Sequence, residues 1–150
     1  MSHSYTCLLY HLVFSTRNRE PWLKRELRPR LCKYLSGAIR SEGGFCTLAN
    51  ATADHVHVLA QLRQGKALSD LLRTIKANSS GWMHDTFPQL RSFSWREGYG
   101  AFSVSQSQKD RVRRYIAKQE DHHRKTTFQE EFLKLLKAHK IEYDEDYLWK

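Results

Sequence analysis

The run Asp54-His55-Val56-His57-Val58-Leu59 alternates imidazole with branched apolar side chains, and it constrains the fold more than any other part of the chain. Side chains on a strand point to opposite faces in turn and successive residues advance about 3.3 Å, so His55 and His57 share a face, about 6.6 Å apart. Val56 and Val58 then point into a core while both imidazoles emerge on the other side. The expectation is a sheet with one apolar face and one chemically equipped face. Two histidines so placed either converge on a metal ion or stand as satisfied surface groups, and the spacing leaves both readings open.

Periodicity along the chain supplies the rest of the architecture. Tyr5 to Phe14 is rich in aromatic and branched residues and stops at Ser15-Thr16-Arg17-Asn18-Arg19, which reads as a buried strand with a basic exit loop. Leu27, Leu31, Leu35 and Ile39 fall at helical spacing within residues 23 to 42, as one long helix or a short one followed by a long one. Pro29 disfavours helix at Arg28, and Gly43-Gly44 forms a stop. Phe45 to Ala53 and His55 to Leu62 read as a hairpin joined near Ala53-Asp54, and a second helix runs from Leu68 to Met83 with Leu68, Leu71, Leu72 and Ile75 on one face. Asp85 to Gly98 is loop-like around Pro88, and Tyr99 to Ser105 is a further short strand.

The next helix is expected to begin at Ser105 to Ser107, to bury Val112 and Ile116, and to end in the polar cluster Asp121 to Lys125. Thr127 with Glu130 three residues on is a capping box for a last helix bearing Phe128, Phe132, Leu135, Leu136 and His139. This order is the split β-α-β arrangement of ferredoxin-like, RRM-like α+β domains. It predicts an antiparallel sheet with helices on one face, C-terminal helices beyond it, and the other sheet face free for ligand. We read residues 1–150 as a single domain, with 141–150 as an acidic-aromatic tail.

The chain has 150 residues, enough for one core, and its 40% hydrophobic and 12% aromatic content excludes disorder. Lys and Arg number 25 against 16 acids, for a net charge of +9. Residues 142 to 150 carry four acids (Glu142, Asp144, Glu145, Asp146) and one base (Lys150), which leaves +12 on residues 1 to 141. A field of that sign favours a phosphate polymer or an acidic membrane surface, and the absence of a long basic amphipathic helix turns the choice to nucleic acid. Cys7, Cys32 and Cys46 form no C-x-x-C pair, so neither a zinc knuckle nor a disulfide framework is indicated. No signal-type apolar run opens the chain and none is long enough to span a bilayer, so no membrane association and a cytoplasmic location are expected.

A second chemical signal is Tyr115-Ile116-Ala117-Lys118-Gln119, where a phenol and an amide lie one helical turn apart. Tyrosine can form covalent intermediates, but with a free pKa near 10 it needs assistance to attack phosphorus at neutral pH. A divalent metal clamped on the phosphate is one source of that assistance. Spacing alone favours the plainer reading, Tyr115 as a helix residue covering the sheet and Gln119 as a solvated one.

Together these pieces resemble the HUH single-tyrosine transposases, the small single-strand DNA transposases of insertion sequences and their relatives associated with repetitive extragenic palindromes. The matching blocks are Tyr10 to Arg19 (YHLVFSTRNR), Ala53 to Leu59 (ADHVHVL), Gly98 to Ser105 (GYGAFSVS), and Tyr115 through Gln119 to His122-His123, in order over roughly residues 5 to 149. The resemblance implies that His55 and His57 are a metal-binding pair, that Gln119 is the third protein ligand of a magnesium or manganese ion, and that Tyr115 is the nucleophile. It implies cleavage of single-stranded DNA with hairpin ends through a 5′-phosphotyrosine that leaves a free 3′-hydroxyl. The linkage retains the bond energy, so rejoining needs no ATP or other nucleotide cofactor. It also implies a homodimer, often with the tyrosine of one subunit serving the histidines of the other, and Leu68 to Met83 is a candidate dimer surface.

Arg17, Arg19, Lys24, Arg25, Arg111, Arg113 and Arg114 are the candidate DNA phosphate contacts, each with a solvated-charge alternative. Trp22, Trp82, Phe93, Trp95 and Tyr99 either stack on unpaired bases or belong to the core. His122-His123 contacts phosphate, supports the metal shell or caps a helix end, and His11 either neighbours the metal or packs in the core. The acidic tail either docks over the basic active-site face or stays uncommitted. The rival functions are a non-catalytic binder of single strands or hairpins with the same shape, and a metal nuclease in which water attacks.

Overall fold

Strands β1 (Leu9–Ser15), β2 (Phe45–Ala51), β3 (His55–Gln61) and β4 (Gly100–Ser103) pair antiparallel in the order β2-β3-β1-β4, the ferredoxin-like arrangement. The computed structural model describes residues 3–149; Met1, Ser2 and Lys150, all inside the expected 1–150 domain, lie outside the described residues. The helices are α1 (Arg28–Ser41), α2 (Leu68–Thr86), α3 (Lys109–Ala117), α4 (Gln119–His122), α5 (Phe128–Ala138) and α6 (Glu145–Leu148). Among the described residues no helix is long and apolar enough to cross a membrane.

The first strand starts later than its composition suggests: Tyr5 is 95% exposed, and pairing with β3 begins at Leu9. Pro29 sits in the first turn of α1, where its missing N–H costs no hydrogen bond, so the helix starts at Arg28 rather than near residue 23. The fourth strand shrinks to Gly100–Ser103, and a short 3-10 turn, Gln106–Gln108, leads into α3.

Alternation on the strands divides the sheet as the His-Val pattern requires. Leu12, Phe14, Val56 and Val58 face α1 and α2 and pack with Leu31, Leu35, Ile39, Leu71, Leu72 and Ile75 in the main core. The α2 leucines Leu71 and Leu72 are thus used inside the chain and are not a free dimer surface. Phe93 and Trp95 belong to this core as well, so they offer no exposed ring for base stacking; Trp82 stacks on Tyr34 and Trp22 packs edge-on to Phe93.

The other face is not left open. Leu9 and Leu59 pack with Ile116 of α3, while Val13 and Phe102 pack with Phe128, Phe132 and Leu136 of α5. The capping box expected from Thr127 and Glu130 is formed, with Thr127 accepting from the Glu130 N–H and the Glu130 side chain accepting from the Thr127 N–H. A fixed helix start sets which residues of α5 meet the sheet. The tail docks as well: Arg96 donates to the carbonyls of Tyr147 and Leu148, and Trp149 packs against Phe132 with its ring 5.7 Å from the Arg19 guanidinium.

Gly100 lets α5 approach the sheet closely, since a Cβ there would lie 2.7 Å from Phe132 Cε1. Gly100→Ala is expected to destabilise the protein by about 1–3 kcal/mol in urea unfolding, and Phe132→Leu in the same chain to recover most of that loss. A neutral Gly100→Ala would contradict this packing.

Candidate active site

The covered sheet face carries the chemistry. Strand register sets Ser15 opposite His55, Val13 opposite His57 and Leu59 opposite His11, so His11, His55 and His57 share this side of the sheet. His55 and His57 are fully buried and His11 is 4% exposed. Imidazoles withdrawn this far from water must have partners, and each has. Asp54 Oδ1 lies 2.7 Å and Thr52 Oγ1 2.8 Å from His55 Nδ1, and His11 Nε2 lies 2.7 Å from His57 Nδ1. Both Nε2 atoms therefore face away from their strand towards α5.

They meet Glu131. This carboxylate, 1% exposed, has Oε1 at 2.9 Å from His57 Nε2, 3.0 Å from His123 Nε2 and 3.4 Å from His55 Nε2. Its Oε2 accepts from the Tyr115 hydroxyl and, at 2.9 Å, from Gln119 Nε2, and lies 3.6 Å from His122 Nε2. The helix carrying Tyr115 breaks at Lys118, so the one-turn spacing expected between Tyr115 and Gln119 is interrupted there. Asn50 on β2 caps the break by donating to the Ile116 carbonyl at 2.8 Å. The phenol and the buried amide nevertheless reach the same carboxylate from successive short helices.

Each charge state follows from its surroundings. Burial alone would raise the Glu131 carboxyl, but hydrogen bonds from His123, His55 and His57 hold it far below the usual range. Burial would lower His55, yet the Asp54 and Glu131 carboxylates outweigh it and keep that imidazole raised. Burial wins at His57, which falls to about 4, and at His11, which falls to about 3. Burial and then the Glu131 hydrogen bond raise the Tyr115 phenol above its ordinary value.

One nitrogen each from His55, His57 and His123 and one oxygen from Glu131 lie within 4.8 Å of one another, a group that could hold a metal ion. Three imidazoles and a carboxylate suit a divalent transition ion, and the acceptors behind His55 and His57 are the outer partners that such ligands ordinarily have. Gln119 Oε1, 3.4 Å from His55 Nε2, borders the same space. Glu131 did not emerge from the sequence reading, in which the first turn of α5 supplied only a cap. The available signal was its position: Glu131 falls three residues after Phe128 and four before Leu135, an acid inside the apolar stripe of the helix.

The basic candidates are distributed around this centre. Arg111 and Arg114 line an open groove of about 810 Å³ beside Tyr115, together with Lys118, Arg124 and Lys125. Arg113 is exposed on the same helix. Arg25 pairs with Glu120 at 2.6 Å, and Lys24 is exposed ahead of α1. Arg17 lines a separate pocket with Lys76 and Arg96, with Arg19 close by over Trp149.

The sequence matches the family described as "Transposase IS200 like" over residues 4–119. The chain belongs to this family of HUH single-tyrosine transposases. It is 26% identical over 119 residues to the ISDra2 transposase TnpA of Deinococcus radiodurans, covering 76% of this chain and 85% of that one. The fold is shared with a crystal structure of a Deinococcus radiodurans protein described as a transposase, at a TM-score of 0.66 and 23% identity over 79% of this chain and 95% of that one. It is shared also with a REP-associated tyrosine transposase bound to a REP hairpin, at a TM-score of 0.60 and 17% identity over 82% of this chain and 73% of that one.

The buried imidazoles set the response of the metal-free protein to acid. His57 and His11 bind protons more weakly folded than unfolded, so stability falls as pH drops from 6.5 towards about 4 for His57 and about 3 for His11. The raised His55 acts above 6.5 and the depressed Glu131 below 4.5, so neither governs that interval. Calorimetry is expected to show the melting temperature falling between pH 6.5 and 4, and falling less in His11→Phe; a flat profile would contradict the assignment.

Proposed function

We propose that this transposase is a metal-dependent single-strand DNA strand transferase, in which Tyr115 attacks a DNA phosphate beside a hairpin and His55, His57 and Gln119 hold a divalent ion, joined by Glu131 and His123. The observation that carries this reading is the convergence of the phenol, the imidazoles and the amide on one buried carboxylate within a chain of this family.

The Tyr115 oxygen forms the new bond to phosphorus and the P–O3′ bond breaks, leaving a free 3′-hydroxyl and a 5′-phosphotyrosine. Because the phenol is part-buried and sits beside an anionic carboxylate, its proton is held tightly, and countering that charge loosens it. A divalent ion supplies that countercharge when bound and polarises the phosphoryl oxygen. The imidazole-rich donor set ranks manganese above magnesium. His11 and Asp54 orient His57 and His55 from behind. Arg111, Arg114, Lys118, Arg124 and Lys125 line the groove at the phenol and draw in a phosphate backbone, with Arg17, Arg19, Lys24, Arg25 and Arg113 as outlying contacts. Reversal by an incoming 3′-hydroxyl rejoins the strand with no nucleotide cofactor. We place this activity in the cytoplasm and in a single domain spanning the chain.

The tyrosine acts in cis in this reading, since Tyr115 and the histidines of one chain meet without a partner. A homodimer is compatible with it but does not complete the site.

With manganese and labelled single strands from the DNA flanking the gene, wild-type protein is expected to give a shifted band on a denaturing gel. Tyr115→Phe is expected to reduce that band by at least about 10³-fold. Free fragments from both proteins would indicate attack by water, and intact DNA a non-catalytic binder. Mixing Tyr115→Phe with His57→Ala is expected to restore no cleavage; recovery towards wild-type activity would establish the trans arrangement instead.

A further inference from the structure

Tyr115 has a second neighbouring cavity that the chemistry above does not use. A pocket of about 550 Å³ opens between β4, α3 and α5, lined by the apolar Phe102, Val104, Val112, Leu135 and Ala138 and by the His11 and His139 imidazoles. Val104, Val112 and Leu135 remain partly exposed although they are apolar, since no element among the described residues fully covers them. Phe102 is buried, with the exposed His139 imidazole stacked on it at 4.5 Å and 28°, so His139 is the flat ring that the pocket presents. His139 Nδ1 donates to the Leu135 carbonyl at 2.8 Å, which fixes the imidazole in place. Ser103, Ser105 and Gln108 supply polar groups at the edge.

Position gives this pocket its meaning. Arg111 and Tyr115 line both the pocket and the basic groove, so the two cavities meet at the nucleophile. A strand lying in the groove with its phosphate at Tyr115 has a base one sugar away from that phosphate. A flat imidazole beside partly exposed apolar side chains, with a few polar groups at the edge, suits an unstacked base, and every base has a face to stack.

We propose that this pocket takes the nucleobase next to the cleaved phosphate, so that the protein itself reads the nucleotide beside the cut. The assignment rests on Tyr115 as the nucleophile, and it places a specificity element on His139, backed by Phe102. Occupation of the pocket also registers the strand, because a base seated there fixes which phosphate stands before the phenol.

The probes are 30-nucleotide single strands tiling the DNA that flanks the gene, with 5-iodouracil in place of thymine. Irradiation of full-length wild-type and Tyr115→Phe protein is expected to crosslink the strand to His139 in both, as mapped by peptide mass spectrometry. Crosslinks confined to distant aromatics such as Trp22, Trp82 or Tyr99 would overturn the proposal. A strand crosslinked in the pocket yet never captured covalently by wild-type protein would support the pocket while refuting the tyrosine chemistry, so the two can fail separately. Ala138→Trp narrows the pocket from an exposed helix position. With an unchanged melting temperature, it is expected to cut cleavage about tenfold, and a strand abasic at the nucleotide beside the cut is expected to restore wild-type cleavage. Unimpaired cleavage, or no rescue by the abasic strand, would overturn the assignment.

Discussion

A buried carboxylate in need of donors organises this protein. Glu131 is 1% exposed, and an anion so placed persists only when surrounding groups replace its lost hydration. Those groups come from three parts of the chain: His55 and His57 from β3, Tyr115 from α3, and Gln119, His122 and His123 from the helical run that follows. The sheet supplies rigidity, the break at Lys118 lets Tyr115 and Gln119 approach together, and α5 brings the acid to them. Loss of one partner would expose the others to an uncompensated charge, so the site is cooperative by construction.

The two faces of the sheet divide the work. On one, the apolar alternates of β1 and β3 bind α1 and α2 into a dense core that holds the strands in register. On the other, His11, His55 and His57 replace part of what would be apolar packing, and α3 and α5 close over them. Burial thereby serves chemistry: it keeps His57 and His11 neutral at physiological pH, and with the adjacent carboxylate it keeps the Tyr115 phenol protonated. The basic groove then meets this centre at the phenol, where a phosphate must arrive to react.

The period of two in His-Val-His-Val revealed the division of faces before any coordinates, because strand geometry leaves such a pattern no other arrangement. The capping box at Thr127 and the helix and strand order were legible for the same local reason, whereas the common reach of Tyr115 and Gln119 to one carboxylate depends on a helix break at Lys118 that their spacing does not show. The covered far face was not legible: Phe128, Phe132 and Leu136 show that α5 buries a stripe, but not which surface receives it. Glu131 was hidden by its neighbour Glu130, since acids in the first turn of a helix ordinarily serve the cap and the dipole. His11 was ambiguous because its role depends on the β1–β3 register, which sets it one diagonal step from His57.

The most direct test of the account is the chemical identity of the protein–DNA linkage. Wild-type protein is allowed to react with a cleavable single strand and manganese, the captured strand is trimmed by nuclease, and the protein is digested and sequenced by mass spectrometry. The account predicts a 5′-phosphodeoxynucleotide on the peptide containing Tyr115, attached at that tyrosine. A linkage at any other residue, or strand cleavage with no linkage at all, would contradict it.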